Sequence, residues 1–337
     1  MKTISIISPC FNEADNVEAC RDAVAALFAP GAPLSGYRRE HIFADNDSAD
    51  GTQDILRRLA ASDPAMKVIL NARNFGPFRS NFNALRHATG DAVLVFLPAD
   101  LQDPPEMIPD FVSHWENGVE VVAGARINRQ ESFSLRTCRA IFYRIVRGLS
   151  DIDIPVNVGE FQLIDRKVWE AVVSHDDHYP YIRGIIASVG FRRVIVPYTW
   201  AARRSGISKN NLPRLIDQAL NGIFSFTNAP MRLCTLVGAT MAVLCLAYSM
   251  ISIGLHFVWP DMAPRGMMTL IVALFFLSGI QLAFMGILGE YVTSIHAQVR
   301  KRPLVVEREQ INFDIVAPAE GDSPVHAMQR EISKKVA

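Results

Sequence analysis

Three short polar segments hold most of this chain's capacity for chemistry: SPCFNEADN at residues 8–16, DNDSADGT at 45–52 and PADLQDPPE at 98–106. In the last, Asp100 and Gln102 put a carboxylate and an amide oxygen two positions apart. Both are hard oxygen donors, suited to a Mg2+ or Mn2+ ion shared with phosphate oxygens rather than caged by protein. Taken singly, such residues are more often structural. Asp50-Gly51-Thr52 makes a turn into a helix, and Pro104-Pro105 makes a helix start. Several acidic and amide clusters meeting at one edge of a sheet tip the balance towards binding. The chemistry indicated is the handling of a nucleoside diphosphate. Neither a GxxxxGK[ST] nor a GxGxxG sequence follows any strand candidate, so kinase, ATPase and dinucleotide readings lose support.

The elements needed to bring these segments together are legible. Strand candidates cover 4–8, 41–44, 67–70, 92–97 and 119–123, and helix candidates cover 17–28, 52–61, 79–88 and 105–116. The alternation predicts an α/β domain with a largely parallel sheet covered on both faces. Ligands bind such sheets outside the carboxyl ends of the strands. That rule selects 8–16, 45–52, 73–78 and 98–106. The apolar run at 4–9 is short and is followed at once by Asn12 and Glu13, so it reads as a first strand rather than a signal peptide.

The C-terminal part is different in kind. Residues 233–259 contain no Asp, Glu, Lys or Arg, and residues 267–291 contain none before Glu290. About 20 apolar residues span a bilayer, so both stretches read as transmembrane helices. Arg232 precedes the first, Arg300, Lys301 and Arg302 follow the second, and the connection carries only Asp261 and Arg265. The positive-inside bias then puts both ends of the hairpin, and both chain termini, on the cytoplasmic side of a cytoplasmic membrane. Trp259 and Tyr291 suit interfacial anchoring. Gln281 suits an interhelical hydrogen bond, and Gly279 and Ala283 would allow close helix packing or a homo-oligomer. The expected organisation is a catalytic domain at 1–211, an interfacial amphipathic helix at 212–231, a hairpin at 232–292 and a tail at 293–337. The formal net charge of +0 argues against a nucleic-acid partner. Five scattered cysteines without metal-ligand spacing read as reduced thiols. The His175-Asp176-Asp177-His178 run reads as a polar loop.

These motifs together resemble the inverting family 2 glycosyltransferases of GT-A fold that act on polyprenyl phosphates. The relatives are dolichol-phosphate mannose synthases and, more closely, bactoprenol (undecaprenyl-phosphate) glucosyltransferases. The resemblance covers roughly residues 3 to 310. It runs through PCFNEADN, DNDSADGT, RNFG at 73–76, ADLQDPPE, GAR at 124–126, VGEFQLIDR at 158–166, RRSGISK at 203–209 and the GEYV…RKRPLVVE pattern after the second span. It implies that Pro9, Phe11, Asn12, Glu13 and Ala99 line the donor pocket, that Asp45 meets the base, and that Asp100 and Gln102 hold the metal. Glu160 would stand at the catalytic base position, and Arg126, Arg203, Ser208 and Lys209 would meet phosphate and acceptor. The bacterial type implies a UDP-sugar donor, a membrane-borne polyprenyl phosphate acceptor and a role in cell-envelope glycan synthesis.

Three positions depart from the family pattern. Pro98 stands where D-x-D begins, Asp45-Asn46-Asp47 stands for Asp-Asp-Gly, and Glu160 replaces Asp. Pro98 offers neither carboxylate nor N–H, so metal binding rests on Asp100, Gln102 and donor oxygens. It also leaves open a non-catalytic homologue that binds lipid phosphate or a partner protein. A lipid phosphate has a second pKa of about 6 and is largely dianionic at neutral pH. Glu160 is therefore expected to orient groups or assist the metal more than to abstract a proton. A processive polysaccharide synthase is disfavoured, because no Q-x-x-R-W-type motif is present.

Overall fold

The computed structural model describes residues 1–127, 158–175, 177, 180–199, 229–258, 267–299 and 303–313. The first half alternates as the periodicity requires: β1 (Thr3–Cys10), α1 (Val17–Leu27), β2 (Arg38–Asp45), α2 (Thr52–Ser62), β3 (Met66–Asn71), α3 (Pro77–Arg86) and β4 (Ala92–Leu94). A one-turn 3-10 helix, Pro105–Met107, leads into α4 (Ile108–Glu116). There Pro105 and Pro109 sit in first turns, where a missing N–H costs no hydrogen bond. The rest of the domain is β5 (Val121–Ile127), β6 (Val158–Asp165), α5 (Arg166–Val173), α6 (Ile182–Ser188) and β7 (Arg193–Thr199).

The sheet order is β7-β5-β6-β4-β1-β2-β3-β8, where β8 is Glu307–Ile311. Pairs β1/β2, β1/β4, β2/β3 and β5/β7 are parallel, while β4/β6, β5/β6 and β3/β8 are antiparallel. Period-2 alternation sends successive side chains of one strand to opposite faces. Ile4, Ile6 and Phe43 enter a core with Val17, Val24, Leu56 and Phe111. Ile7 and Ile42 enter a second core with Phe82, Leu85, Val168 and Ile185. Both faces are thus buried, which is why the central strands read as continuous apolar runs.

At the amino edge of the sheet a buried carboxylate ties the strands together. Glu40 accepts hydrogen bonds from the Ser5 hydroxyl, Lys67 Nζ at 2.7 Å, Thr89 N at 2.8 Å and Thr89 Oγ1 at 2.7 Å. Gly90 closes over this cluster. A Cβ there would lie 2.6 Å from Ser5 Oγ and 2.8 Å from Ala92 O, so the backbone approach requires glycine.

Two departures from the sequence reading concern length and order. The fourth ladder is confined to Ala92–Leu94, after which Val95 N bonds Gln162 O at 2.9 Å and Leu97 N bonds Ile7 O at 2.8 Å. Part of the segment expected to be tail is instead the strand β8, with Leu304 and Val305 buried just before it.

Two long helices, α7 (Ala229–Val258) and α8 (Met267–Val299), separate the sheet domain from β8. Among the described residues one helix is long and apolar enough to cross a membrane, with the window Phe276–Thr293 at mean hydropathy 1.3. Large apolar side chains on both helices are exposed, including Leu236, Tyr248, Leu270, Phe276 and Leu282. Residues 229–231, expected to end an interfacial helix, form the first turn of α7, and 212–228 lie outside the described residues.

Candidate active site

The carboxyl ends of β1, β2 and β4 emerge at one edge, and the antiparallel pairing of β6 brings its start to the same edge. Of the residues expected to act, Pro9, Phe11, Asn12, Glu13, Asp45, Ala99, Asp100, Gln102, Arg126 and Glu160 stand on segments that meet here. Arg203, Ser208 and Lys209 lie outside the described residues.

The loop after β1 is locked to the loop after β2. Asn12, with φ of 55°, donates its N–H to Ser48 Oγ at 2.8 Å and accepts from Ala49 N through Oδ1 at 3.0 Å. Glu13 N donates to Thr52 Oγ1 at 3.0 Å and Ala14 N to Asp50 Oδ2 at 3.1 Å. Asp45, fully buried, accepts from Ser48 N at 3.0 Å and Gln53 Nε2 at 3.0 Å, and from the Ser48 hydroxyl. Burial raises its pKa despite those hydrogen bonds.

A second set of amides fastens this loop to RNFG. Asn46 Oδ1 accepts from Asn71 Nδ2 at 3.2 Å and Phe75 N at 2.9 Å, while its Nδ2 donates to Asn74 Oδ1 at 2.9 Å. Asn46 is where the family pattern departs, and here its amide shapes the loop from within. This network was invisible in the sequence, where Asn46 and Asn71 signal only a turn and a strand end.

In the loop after β4, Leu101 has φ of 56°, a strained turn that sets Asp100 and Gln102 on either side of it. Pro98 contributes its carbonyl, which accepts Leu101 N at 3.1 Å. Asp100 is 7% exposed, and its Oδ1 accepts Gln102 N at 3.2 Å. Two hard oxygen donors on one tight turn fit an ion completed by ligand phosphate oxygens. Among the described residues no group of three His, Cys, Asp or Glu side chains could cage an ion by itself.

Asp103 turns inward. It is fully buried and takes Arg126 in a fork, Nε to Oδ1 at 3.2 Å and Nη2 to Oδ2 at 2.9 Å, together with the Tyr198 hydroxyl. Arg126 Nε also donates to Tyr198 Oη at 3.0 Å. Burial alone would lower the Arg126 pKa, but the charge of Asp103 and the Tyr198 contact raise it overall. Burial, then Asp103, raises that of Tyr198, so its hydroxyl keeps its proton and donates. The triad joins the loop bearing Asp100 and Gln102 to β5 and β7. Tyr198 carried no sequence signal.

Glu160 stands near the start of β6 with Arg183 Nε 3.9 Å from its Oε1. Arg183 also donates to Val158 O at 3.4 Å and to the Tyr181 hydroxyl, so one guanidinium meets both the strand and its carboxylate. Arg183 carries no signal in the sequence, since only the fold brings it to Glu160, 23 positions away. Within the polar run at 175–178, His175 Nδ1 lies 2.8 Å from Ala171 O, while Asp176 and His178 lie outside the described residues.

The model for glycosyl transferase family 2 matches residues 5–173, and that for the GtrB C-terminal hairpin matches residues 229–295. The chain belongs to glycosyl transferase family 2. This glycosyltransferase is 36% identical over 303 residues to the SfII prophage-derived bactoprenol glucosyl transferase of Shigella flexneri, covering 89% of this chain and 96% of that protein. It is 34% identical over 276 residues to the uncharacterized glycosyltransferase YkcC of Bacillus subtilis (strain 168), covering 82% and 85%. A solved mannosyltransferase from Pyrobaculum calidifontis, in complex with GDP-Man and Mn2+, aligns with a TM-score of 0.45 and 17% identity over 88% of this chain and 86% of that one. The sheet domain of the glycosyltransferase is of the GT-A α/β type, with parallel central strands.

Proposed function

We propose that this glycosyltransferase moves a sugar from a nucleotide-sugar, of UDP type, onto a polyprenyl phosphate at the cytoplasmic face of the cytoplasmic membrane. One observation carries the reading: a bactoprenol glucosyl transferase matches 89% of the chain, catalytic domain and helical hairpin alike. In this reading, residues 1–211 are the catalytic domain, 212–231 an interfacial helix, 232–292 a two-helix transmembrane hairpin and 293–337 a cytoplasmic C-terminal segment. The GtrB-type hairpin match and the exposed apolar side chains of α7 and α8 support the hairpin.

The reaction is a single displacement with inversion. A lipid phosphate oxygen forms a bond to the anomeric carbon, and the bond from that carbon to the donor diphosphate breaks with its electron pair leaving on the nucleoside diphosphate. Asp45 takes the base, with Pro9, Phe11, Asn12, Glu13 and Ala99 along the donor. Asp100 and Gln102 would hold a Mg2+ or Mn2+ ion, which when bound supplies charge neutralisation for the departing diphosphate. Glu160, paired with Arg183, orients groups at the site or assists the metal more than it abstracts a proton, because the acceptor dianion is already nucleophilic. Arg126, held by Asp103, stands at that edge where its guanidinium could meet phosphate oxygens, and Arg203, Ser208 and Lys209 engage the acceptor phosphate. Pro98 favours a second reading, a homologue that binds lipid phosphate without transfer. Purified protein incubated with undecaprenyl phosphate and a panel of labelled nucleotide sugars, with and without Mn2+, tests both. Transfer from one donor establishes the function and the sugar; lipid binding without transfer from any donor selects the second reading.

A further inference from the structure

The strand that follows the helical hairpin reaches the candidate donor loops. β8 runs antiparallel to β3, pairing Val68 with Ile311, Ile69 with Gln310 and Leu70 with Glu309. The next pair is Asn71 with Glu307, so the register shifts and Arg308 is the extra residue of a bulge. Bulges bend a strand and re-aim a side chain. Here the re-aimed side chain is Arg308, whose Nη2 donates to Asp47 Oδ1 at 3.1 Å and to Ala72 O at 3.0 Å. Asp47 is in the loop between β2 and α2 and holds φ of 64°, a left-handed conformation that a non-glycine residue adopts at a cost. Ala72 begins the RNFG loop, to which Asn46 is also tied.

The bland alternative is an exposed ion pair of little consequence, since the side chains of Arg308 and Asp47 are 48% and 36% exposed. The support on both sides argues otherwise. Glu307 is held by His87 Nε2 at 2.9 Å and by Asn83. Glu309 is held by Arg57 Nη2 at 2.9 Å. Ala72 N donates to Val306 O at 2.9 Å, and Asn312 Nδ2 donates to Ala60 O and Met66 O, each at 2.8 Å. Arg308 thus projects from an anchored segment, and its single guanidinium edge bridges two loops at the end of β2 and β3.

We propose that Arg308 is a positioning residue of the donor site, fixing Asp47 and with it the β2–α2 loop in the shape that receives the nucleoside end of the donor. The inference rests on the reading of that loop as the donor loop. Its test is the affinity of the full-length protein for UDP and GDP with Mn2+, by titration calorimetry, in the wild type and in Arg308→Ala, Arg308→Lys, Asp47→Ala and the double variant. Arg308→Ala weakens the bound nucleotide by about 3- to 5-fold, the range of an exposed ion pair on a fixed support. Asp47→Ala does the same, the double variant loses no more than either single one, and Arg308→Lys recovers part of the loss. Melting temperature stays at the wild-type value throughout. Wild-type binding with unchanged affinity in Arg308→Ala overturns the positioning role alone. Additive losses in the double variant also overturn it, because the two side chains would then act separately. No binding of either nucleotide by the wild type overturns the donor-loop reading and the positioning role together.

Discussion

Replacing Asp103 by Asn removes one charge from a buried triad while keeping the side-chain volume. Asp103 is fully buried, and Arg126, its partner through two hydrogen bonds, is 18% exposed in its side chain. Removing one member of a buried ion pair costs about 3–5 kcal/mol, because the remaining charge is left uncompensated. Partial access of water to Arg126 places this case near the lower end, about 3 kcal/mol. For a domain of this size each kcal/mol lowers the melting temperature by roughly 2–4 °C, so a fall of roughly 6–12 °C follows. The effect on transfer has a different origin. Asp103 lies one residue after Gln102 and three after Asp100, and it ties their loop to β5 and β7. A displacement near 1 Å of groups acting on the donor costs about 100-fold in rate. Tyr198→Phe removes the hydrogen bond to the carboxylate and the one accepted from Arg126 Nε, leaves the ion pair in place, and should cost about 1.5–3 kcal/mol. The double variant should lose less than the sum, since both changes act on one carboxylate. Thermal unfolding in detergent and initial rates of sugar transfer measure the two effects. An Asp103→Asn protein that melts and transfers as the wild type does would refute the triad as the support of the metal loop.

Three further outcomes follow from the same geometry. Asn46→Ala removes the acceptor of Phe75 N and one of two partners from Asn71 Nδ2 and Asn74 Oδ1, which keep Ser80 Oγ and Gly76 N, so the cost should be about 1–2 kcal/mol; weaker nucleotide binding and faster hydrogen exchange in residues 71–76 should accompany it. Glu160→Gln should retain measurable transfer across neutral and alkaline pH, because the acceptor dianion needs no strong base; loss at every pH with nucleotide binding intact would contradict the orienting role. Burial opposes ionisation of Glu40, but Lys67, Ser5 and Thr89 outweigh it and hold its pKa below the ordinary carboxylate value. Its contribution to stability is therefore complete above that ordinary value and is lost as pH falls through the lower folded value. Denaturant midpoints measured towards acid pH should drop in the wild type and flatten in Glu40→Gln.

The parts of the molecule that could be read from sequence were those governed by local pattern. Buried parallel strands leave apolar runs, amphipathic helices leave a 3.6-residue period, and the segments after β1, β2 and β4 announced themselves by sudden polarity. What sequence did not reveal was which polar groups turn inward. Asp100 and Asp103 look alike in ADLQDPPE, yet Asp100 closes its own turn through Gln102 N while Asp103 is spent on Arg126 and Tyr198, which lie 23 and 95 positions away. Arg183 approaches Glu160 across a comparable tertiary gap. β8 escaped for a related reason: five residues of EREQI have the charge of a tail, and only pairing with β3 makes them a strand.

That last pairing has a consequence for how the protein is made. Residues 307–311 leave the ribosome after both long helices, so during synthesis β3 waits as an open edge until the hairpin has been produced. An unpaired edge strand is a template for adventitious association. The glycosyltransferase therefore completes its sheet last, with a segment delivered from beyond the hairpin. A chain halted after α8 would possess every residue of the candidate donor loops and still carry an unguarded border.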